Sequence, residues 1–208
     1  CVYIGRIAQE KSIDVLIDMF SKIEDEKFKF MIVGRGRILD DLKKQAEKLG
    51  ISDRVVFTGE VPHDKVAAYY QMGDVFLNAS VSETQGLTFV EAMAAKTPVV
   101  ARYDLNLEDL LVKNEAGLVY RNEKEFIDSI MLLKENKEFR EKIIENAFVA
   151  SQDYTAQKFG ERVEAVYKKT IEEYDSRESF TIFRGEKFLQ QIRRWTSLKS
   201  SGRSPWSK

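Results

Sequence analysis

The feature that most constrains this chain is the alternation of short, continuous apolar runs with longer segments of helical period. The apolar runs fall at residues 2–4, 28–33, 55–58, 75–78, 98–101 and 118–120. Between them lie segments whose apolar residues recur every three or four positions. In residues 11–23, for example, Ile13, Leu16, Ile17 and Phe20 share one helical face. Further helices are expected over residues 38–49, 64–72, 86–95, 107–112, 123–134, 137–150 and 156–174. Gly50 is the expected C-terminal cap of the second, and Asn106 the expected N-terminal cap of the helix over 107–112, with Asp109 in its first turn. Strands that are apolar throughout are buried on both faces. Separated by helices, they form a parallel sheet covered on both sides. The fold class is therefore α/β, a doubly wound parallel sheet. Such sheets bind ligands beyond the carboxyl ends of their strands. That directs attention to the loops at residues 5–11, 34–37, 59–62, 80–86 and 102–106.

A chain of 208 residues, 43% hydrophobic, suffices for one well-buried core and a small appendage. The expected division is a domain over residues 1–174 and a basic, aromatic helix or tail over 175–208. Residues 176–208 carry eight Lys/Arg against two acids, with Phe180, Phe183, Phe188, Trp195 and Trp206 interleaved. The formal net charge of the whole chain is −1. That gives no general bias toward nucleic acid, and no nucleic-acid partner is expected. The single cysteine, Cys1, permits no intrachain disulfide and suits a reducing compartment. No run approaches the roughly 18 apolar residues of a membrane span. The chain opens inside an apolar run on Cys1 without a methionine or a signal region. It is therefore expected to be a fragment whose preceding domain is absent.

The chemistry centres on residues 83–91, ETQGLTFVE. A loop holding Glu83 runs into Gly86, where a helix starts. The first amides there, near Gly86, Leu87 and Thr88, have no partners within the helix and sit at the positive end of its dipole, a ready anion site. Gly86 carries no Cβ to obstruct close approach. Glu83 and Glu91 flank this site and can accept hydrogen bonds from sugar hydroxyls. On spacing alone, a solvated loop acid and a helix-surface acid fit equally well. Near the end of the first strand stand Gly5, Arg6 and Lys11. Arginine offers a bidentate fork to phosphate oxygens and lysine a compact charge. Two bases and a helix N-terminus can neutralise a diphosphate leaving group. No DxD cluster or His/Cys ligand set is seen, so no metal is expected. Lys11 read alone is an ordinary first-turn lysine. Gly34-Arg35-Gly36 lacks the third glycine of a dinucleotide fingerprint and reads as a tight turn near a ligand. The only histidine, His63, follows Pro62 at a helix start and reads as a surface residue.

Taken in order, GRIAQEK at residues 5–11, IVGRG at 32–36, VVFTGEV at 55–61, SETQGLTFVEAMAAKTPVVA at 82–101 and AGLVY at 116–120 resemble the C-terminal domain of GT-B glycosyltransferases. The resemblance is to the large retaining family often called family 4, the glycosyl transferases group 1. It covers residues 2–174. It implies a Rossmann-like sheet, the C-terminal half of a GT-B fold, with extra C-terminal helices. It further implies that Arg6 and Lys11 bind the donor diphosphate, that Glu83 contacts the transferred sugar and that Glu91 meets the ribose hydroxyls. Backbone around Gly86, Leu87 and Thr88 would hold phosphate and sugar, the loops at Gly34 and Val61 would border the base, and Gly5 and Gln85 would also bind the donor. The sequence departs from the family at Ser12 and Lys96, where glycine is common. ETQGL stands in place of EGFGL, and the loop after Ala101 lacks a glycine pair.

The function expected from this resemblance is transfer of a hexose from a nucleoside-diphosphate sugar with retention of configuration, without a metal or other cofactor. The ETQGL variant followed by PVVARYD resembles bacterial diacylglycerol glucosyltransferases. It implies UDP-glucose as donor and a membrane lipid such as diacylglycerol as acceptor. The partner expected is the missing N-terminal domain, which would carry the acceptor site, so the chain alone is expected to transfer no sugar. A non-catalytic nucleotide-sugar-binding module, working through a separate acceptor-binding chain, is the alternative. The expected location is cytoplasmic. The tail at 176–208 reads in three ways, as a brace for the missing domain, as a contact with an anionic membrane at the inner face of the plasma membrane, or as a solvated end.

Overall fold

The structure is a computed structural model, and it describes residues 1–80, 86–175 and Arg193. Glu83, Gln85 and the remainder of the tail over 176–208 lie outside the described residues. Six strands form one sheet: β1 (Val2–Ile4), β2 (Phe30–Val33), β3 (Val55–Gly59), β4 (Phe76–Asn78), β5 (Val99–Arg102) and β6 (Leu118–Tyr120). Every pairing is parallel and the strand order is β3-β2-β1-β4-β5-β6. The order reverses between β1 and β4, which is the topological switch point of a doubly wound sheet.

The helices are α1 (Ile13–Phe20), α2 (Leu39–Lys48), α3 (Val66–Met72), α4 (Leu87–Ala94), α5 (Glu123–Glu135), α6 (Lys137–Ser151) and α7 (Ala156–Asp175). Contacts divide the chain into one compact unit, Cys1–Phe159, and a second, Gly160–Lys208. The first contains the whole sheet.

Both faces of the sheet are buried, as the continuous apolar runs require. Tyr3, Phe30, Ile32, Leu77 and Val100 point into one core, where Leu16, Ile17 and Phe20 of α1, Leu42 of α2 and Phe126 of α5 cover them. Val2, Ile4, Val33, Phe76 and Val99 point into the other, under Tyr70 of α3, Phe89 and Met93 of α4, and Ala147 of α6. Successive strand residues thus enter opposite cores. Each fully buried large side chain contributes about 1.5–3 kcal/mol. The inner strands β1 and β4 are buried at every position because neither side meets water, whereas the edge strand β3 is exposed at Val56 and Thr58.

Two local expectations give way. The helix expected over residues 11–23 is interrupted near its start. Gln9–Lys11 is a 3-10 turn, Ser12 takes a left-handed backbone with φ of 48°, and α1 begins at Ile13. Asn106 does not cap the following helix. The carboxylate of Asp104 accepts from the Asn106 amide at 2.8 Å and starts a 3-10 turn over Leu105–Leu107, which runs into a π-helical turn over Glu108–Val112. The Asp104 side chain accepts from an amide two residues on, a local turn that places Asn106 inside the 3-10 turn and not at a helix start. The expected C-cap holds: Gly50 has a φ of 71° just past the end of α2.

Candidate functional site

The loops after β1, β2 and β3 are laced together by backbone hydrogen bonds that continue the sheet beyond its regular strands. Gly5 N–H donates to Val33 O at 3.0 Å, Ile7 N–H to Arg35 O at 2.9 Å, and Gly34 N–H to Gly59 O at 2.9 Å. The approach is so close that a Cβ at position 34 would stand 1.9 Å from Gly5 O, and one at position 36 would stand 1.7 Å from Ile7 O. Gly34 also has a φ of 140°. The GxG of residues 34–36 therefore serves the packing of one loop on another. That is a tighter requirement than the turn expected from sequence.

These loops border an open cleft of about 740 Å³ whose lining includes Gly5, Arg6, Gly34, Arg35, Glu60 and Val61. Four of the residues singled out from sequence thus meet at one place: Gly5, Arg6, Gly34 and Val61. Arg35 and Glu60 join them as an ion pair at 2.9 Å between largely exposed side chains. Sequence reasoning had no signal for that pair, since the two residues come from different loops. Arg6 is held by Glu10, four residues on, in an ion pair whose members are both well exposed. Such a pair is worth about 0–1 kcal/mol, so a phosphate group can compete for the guanidinium. The backbone of the same residue is fixed from below, where Tyr3 Oη donates to Arg6 O at 2.9 Å.

Lys11, Gly86, Leu87, Thr88 and Glu91 do not line that cleft. Lys11 closes the 3-10 turn of the β1 loop. That turn is tied across the switch point, where the buried Ser80, just after β4, donates through Oγ to Glu10 O at 3.3 Å. Ser80 is itself positioned by Asn78, whose Oδ1 accepts from Ser80 N–H at 2.8 Å. The Asn78 carbonyl accepts from Tyr120 Oη at 3.1 Å, and burial pushes the Tyr120 hydroxyl upward in pKa, keeping it a donor. The β1 loop and the segment leading toward α4 are thereby fastened together at the carboxyl end of the sheet.

At the start of α4, Gly86 takes a left-handed conformation with φ of 60°. Its carbonyl accepts from Phe89 N–H at 2.9 Å and from Val90 N–H at 3.3 Å. The amides of Leu87 and Thr88 precede these bonds, so the helix itself offers them no acceptor. Among the described residues no side chain caps this end. Glu91, one turn further, is exposed and accepts from Tyr70 Oη at 3.0 Å. Burial first, and the Glu91 charge second, push the Tyr70 hydroxyl far above its ordinary pKa. It is a permanent donor. Tyr70 was missed because its place in the apolar pattern of 64–72 marks it as core and says nothing of its hydroxyl.

The two positions where glycine was expected are both strained in the sense a glycine would relieve. Ser12 has φ of 48° and Lys96 φ of 62°. His63 is exposed at the start of a 3-10 turn over His63–Lys65, in keeping with a surface role. Among the described residues no cluster of three or more His, Cys, Asp or Glu can hold a metal, and no helix is long and apolar enough to cross a membrane.

The family model for glycosyl transferases group 1 matches residues 1–149. The chain is 34% identical over 171 residues to alpha-monoglucosyldiacylglycerol synthase of Streptococcus pneumoniae, covering 81% of this chain and 38% of the relative. It is 31% identical over 173 residues to the enzyme of the same name from Acholeplasma laidlawii, covering 82% of this chain and 44% of the relative. The chain thus spans less than half the length of these curated relatives. In fold it resembles Anabaena HepE in complex with UDP and glucose, with a TM-score of 0.73 at 21% identity over 81% of this chain and 47% of that one.

Proposed function

The chain belongs to the glycosyl transferases group 1, and from that premise we propose that it is the donor-binding half of a retaining glucosyltransferase that takes UDP-glucose and glycosylates a membrane lipid of the diacylglycerol type. The observation that carries this reading is the fastening of two loops across the switch point. Arg6 and Lys11 stand on one, and the other leads to the α4 N-terminus, joined through Ser80 and Glu10. A diphosphate lying there would meet two cations on one side and the Leu87 and Thr88 amides on the other. The names of the two curated relatives support the choice of sugar and acceptor.

In the reaction so proposed, negative charge grows on the departing diphosphate as its bond to the anomeric carbon breaks. In this reading Arg6, Lys11 and the α4 amides face that charge, and groups fixed in place beforehand stabilise it with little reorganisation. Each such donor is worth roughly 3–4 kcal/mol in the transition state. The cations make the step independent of a metal. Glu91 accepts from the ribose hydroxyls, and Glu83 meets the transferred sugar. The acceptor site belongs to the other half of the GT-B cleft, and the location is the cytoplasm, at a membrane face.

Calorimetric titration with UDP-, GDP- and ADP-glucose, with and without a chelator, tests the reading. UDP-glucose is expected to bind most tightly and equally in both conditions. Preference for another base, or loss of binding on chelation, would sink the corresponding part.

A further inference from the structure

We propose that Tyr70 is the positioning residue for Glu91, orienting its carboxylate toward the ribose diol of the donor. The inference rests on the reading of Glu91 as the ribose acceptor. Glu91 stands exposed on α4, and a glutamate there has three free torsions. The Tyr70 hydroxyl reaches its Oε2 at 3.0 Å, leaving Oε1 to accept a second donor. One hydrogen bond to a charged acceptor selects a rotamer only if the donor itself is fixed.

The donor is fixed. Tyr70 is fully buried. Its ring meets Phe76 edge-on at 5.4 Å, and Phe76 meets Phe89 in the same manner at 6.0 Å. Phe89 lies on α4 itself, two residues before Glu91. The Tyr70 carbonyl accepts from Thr97 Oγ1 at 2.9 Å, just beyond the end of α4. The phenol is thus clamped by the core that carries α4, and it aims outward at an exposed carboxylate. A phenylalanine would fill the same volume without the need to satisfy a buried hydroxyl. Packing alone does not call for the oxygen.

The test compares UDP with 2′,3′-dideoxy-UDP, which lacks the diol, by titration against the 208-residue chain. The unsubstituted chain is expected to prefer UDP, and Glu91→Ala, which removes the acceptor, to abolish that preference. If Glu91→Ala keeps it, the ribose reading of Glu91 fails and this inference with it. If Glu91→Ala behaves as expected, Tyr70→Phe decides the inference alone. It is expected to lower the preference for UDP roughly ten-fold while leaving affinity for the dideoxy compound unchanged. Full retention of the preference in Tyr70→Phe, or equal weakening toward both compounds, overturns the positioning role and leaves the ribose reading intact. Should Tyr70→Phe not fold, 3,5-difluorotyrosine at position 70 keeps the shape and alters the hydroxyl. A changed diol preference supports the role and an unchanged one overturns it.

Discussion

The hydroxyl of Ser80 donates to the carbonyl of Glu10 at 3.3 Å, across 70 residues of sequence and across the point where the strand order reverses. It joins the loop that carries Arg6 and Lys11 to the segment that leads toward α4. Removing it by Ser80→Ala is expected to lower stability by about 1 kcal/mol and to weaken UDP-glucose binding as well. Denaturant unfolding measures the first and calorimetry the second. Unchanged binding would show that the two loops hold their places without this bond.

Gly34 tests the lacing of the loops. A Cβ there falls on the Gly5 carbonyl oxygen, at a φ of 140°. Gly34→Ala is expected to destabilise by more than about 3 kcal/mol. Gly50 is a control. It too has positive φ, but an added Cβ meets nothing within 4 Å, so Gly50→Ala should cost only about 1–2 kcal/mol. The difference in unfolding midpoints between the two variants isolates the steric part.

Ser12 and Lys96 run the other way. Each occupies a left-handed backbone without glycine's freedom. Ser12→Gly is expected to raise stability by about 1 kcal/mol. Ser12 has no side-chain capping bond at the start of α1 to lose. Lys96→Gly should gain less, because the Lys96 ammonium sits 4.6 Å from the centre of the Phe148 ring, a contact worth about 0.5–1 kcal/mol at an exposed site. Thermal unfolding of both variants checks the order.

Arg6 separates function from folding. Its side chain is exposed and its ion pair with Glu10 is a surface one. Arg6→Ala is expected to change stability by no more than about 0.5 kcal/mol while weakening UDP-glucose binding at least ten-fold. A variant that binds as the parent does would remove Arg6 from the donor site.

The tyrosines set the alkaline limit. Burial holds the hydroxyls of Tyr70 and Tyr120 above their ordinary value of 10.0. The folded chain therefore keeps protons that the unfolded chain releases. Their contribution to stability is complete below pH 10 and is lost as the pH rises from there toward the folded values. Denaturant midpoints are expected to fall above pH 10, and Tyr70→Phe and Tyr120→Phe to make that fall shallower. An unchanged slope in both would place the alkaline limit elsewhere.

The sequence by itself determined the elements and their class. Residues apolar at every position of a short run must be covered on both sides, and Ile13, Leu16, Ile17 and Phe20 can share a face only in a helix. Hydrophobic period is a local property, so the strands, most of the helices and the Gly50 cap were legible from neighbours in the chain, while the interruption at Ser12 and the turns at 105–112 were not. The motifs around Arg6 and Gly34 likewise pointed to two of the loops that border the open cleft. Tertiary structure alone decided the rest. It set the strand order, and so which loops meet. It showed that Gly34 and Gly36 answer to the backbone of Gly5 and Ile7, that Asp104 and not Asn106 begins its turn, and that the Tyr70 hydroxyl ends on Glu91. Each of these depends on a distance between residues far apart in the chain or on a local side-chain bond that competes with the helix. A one-dimensional pattern encodes neither, because burial selects for apolar volume and leaves unsaid where one polar atom on that volume will point.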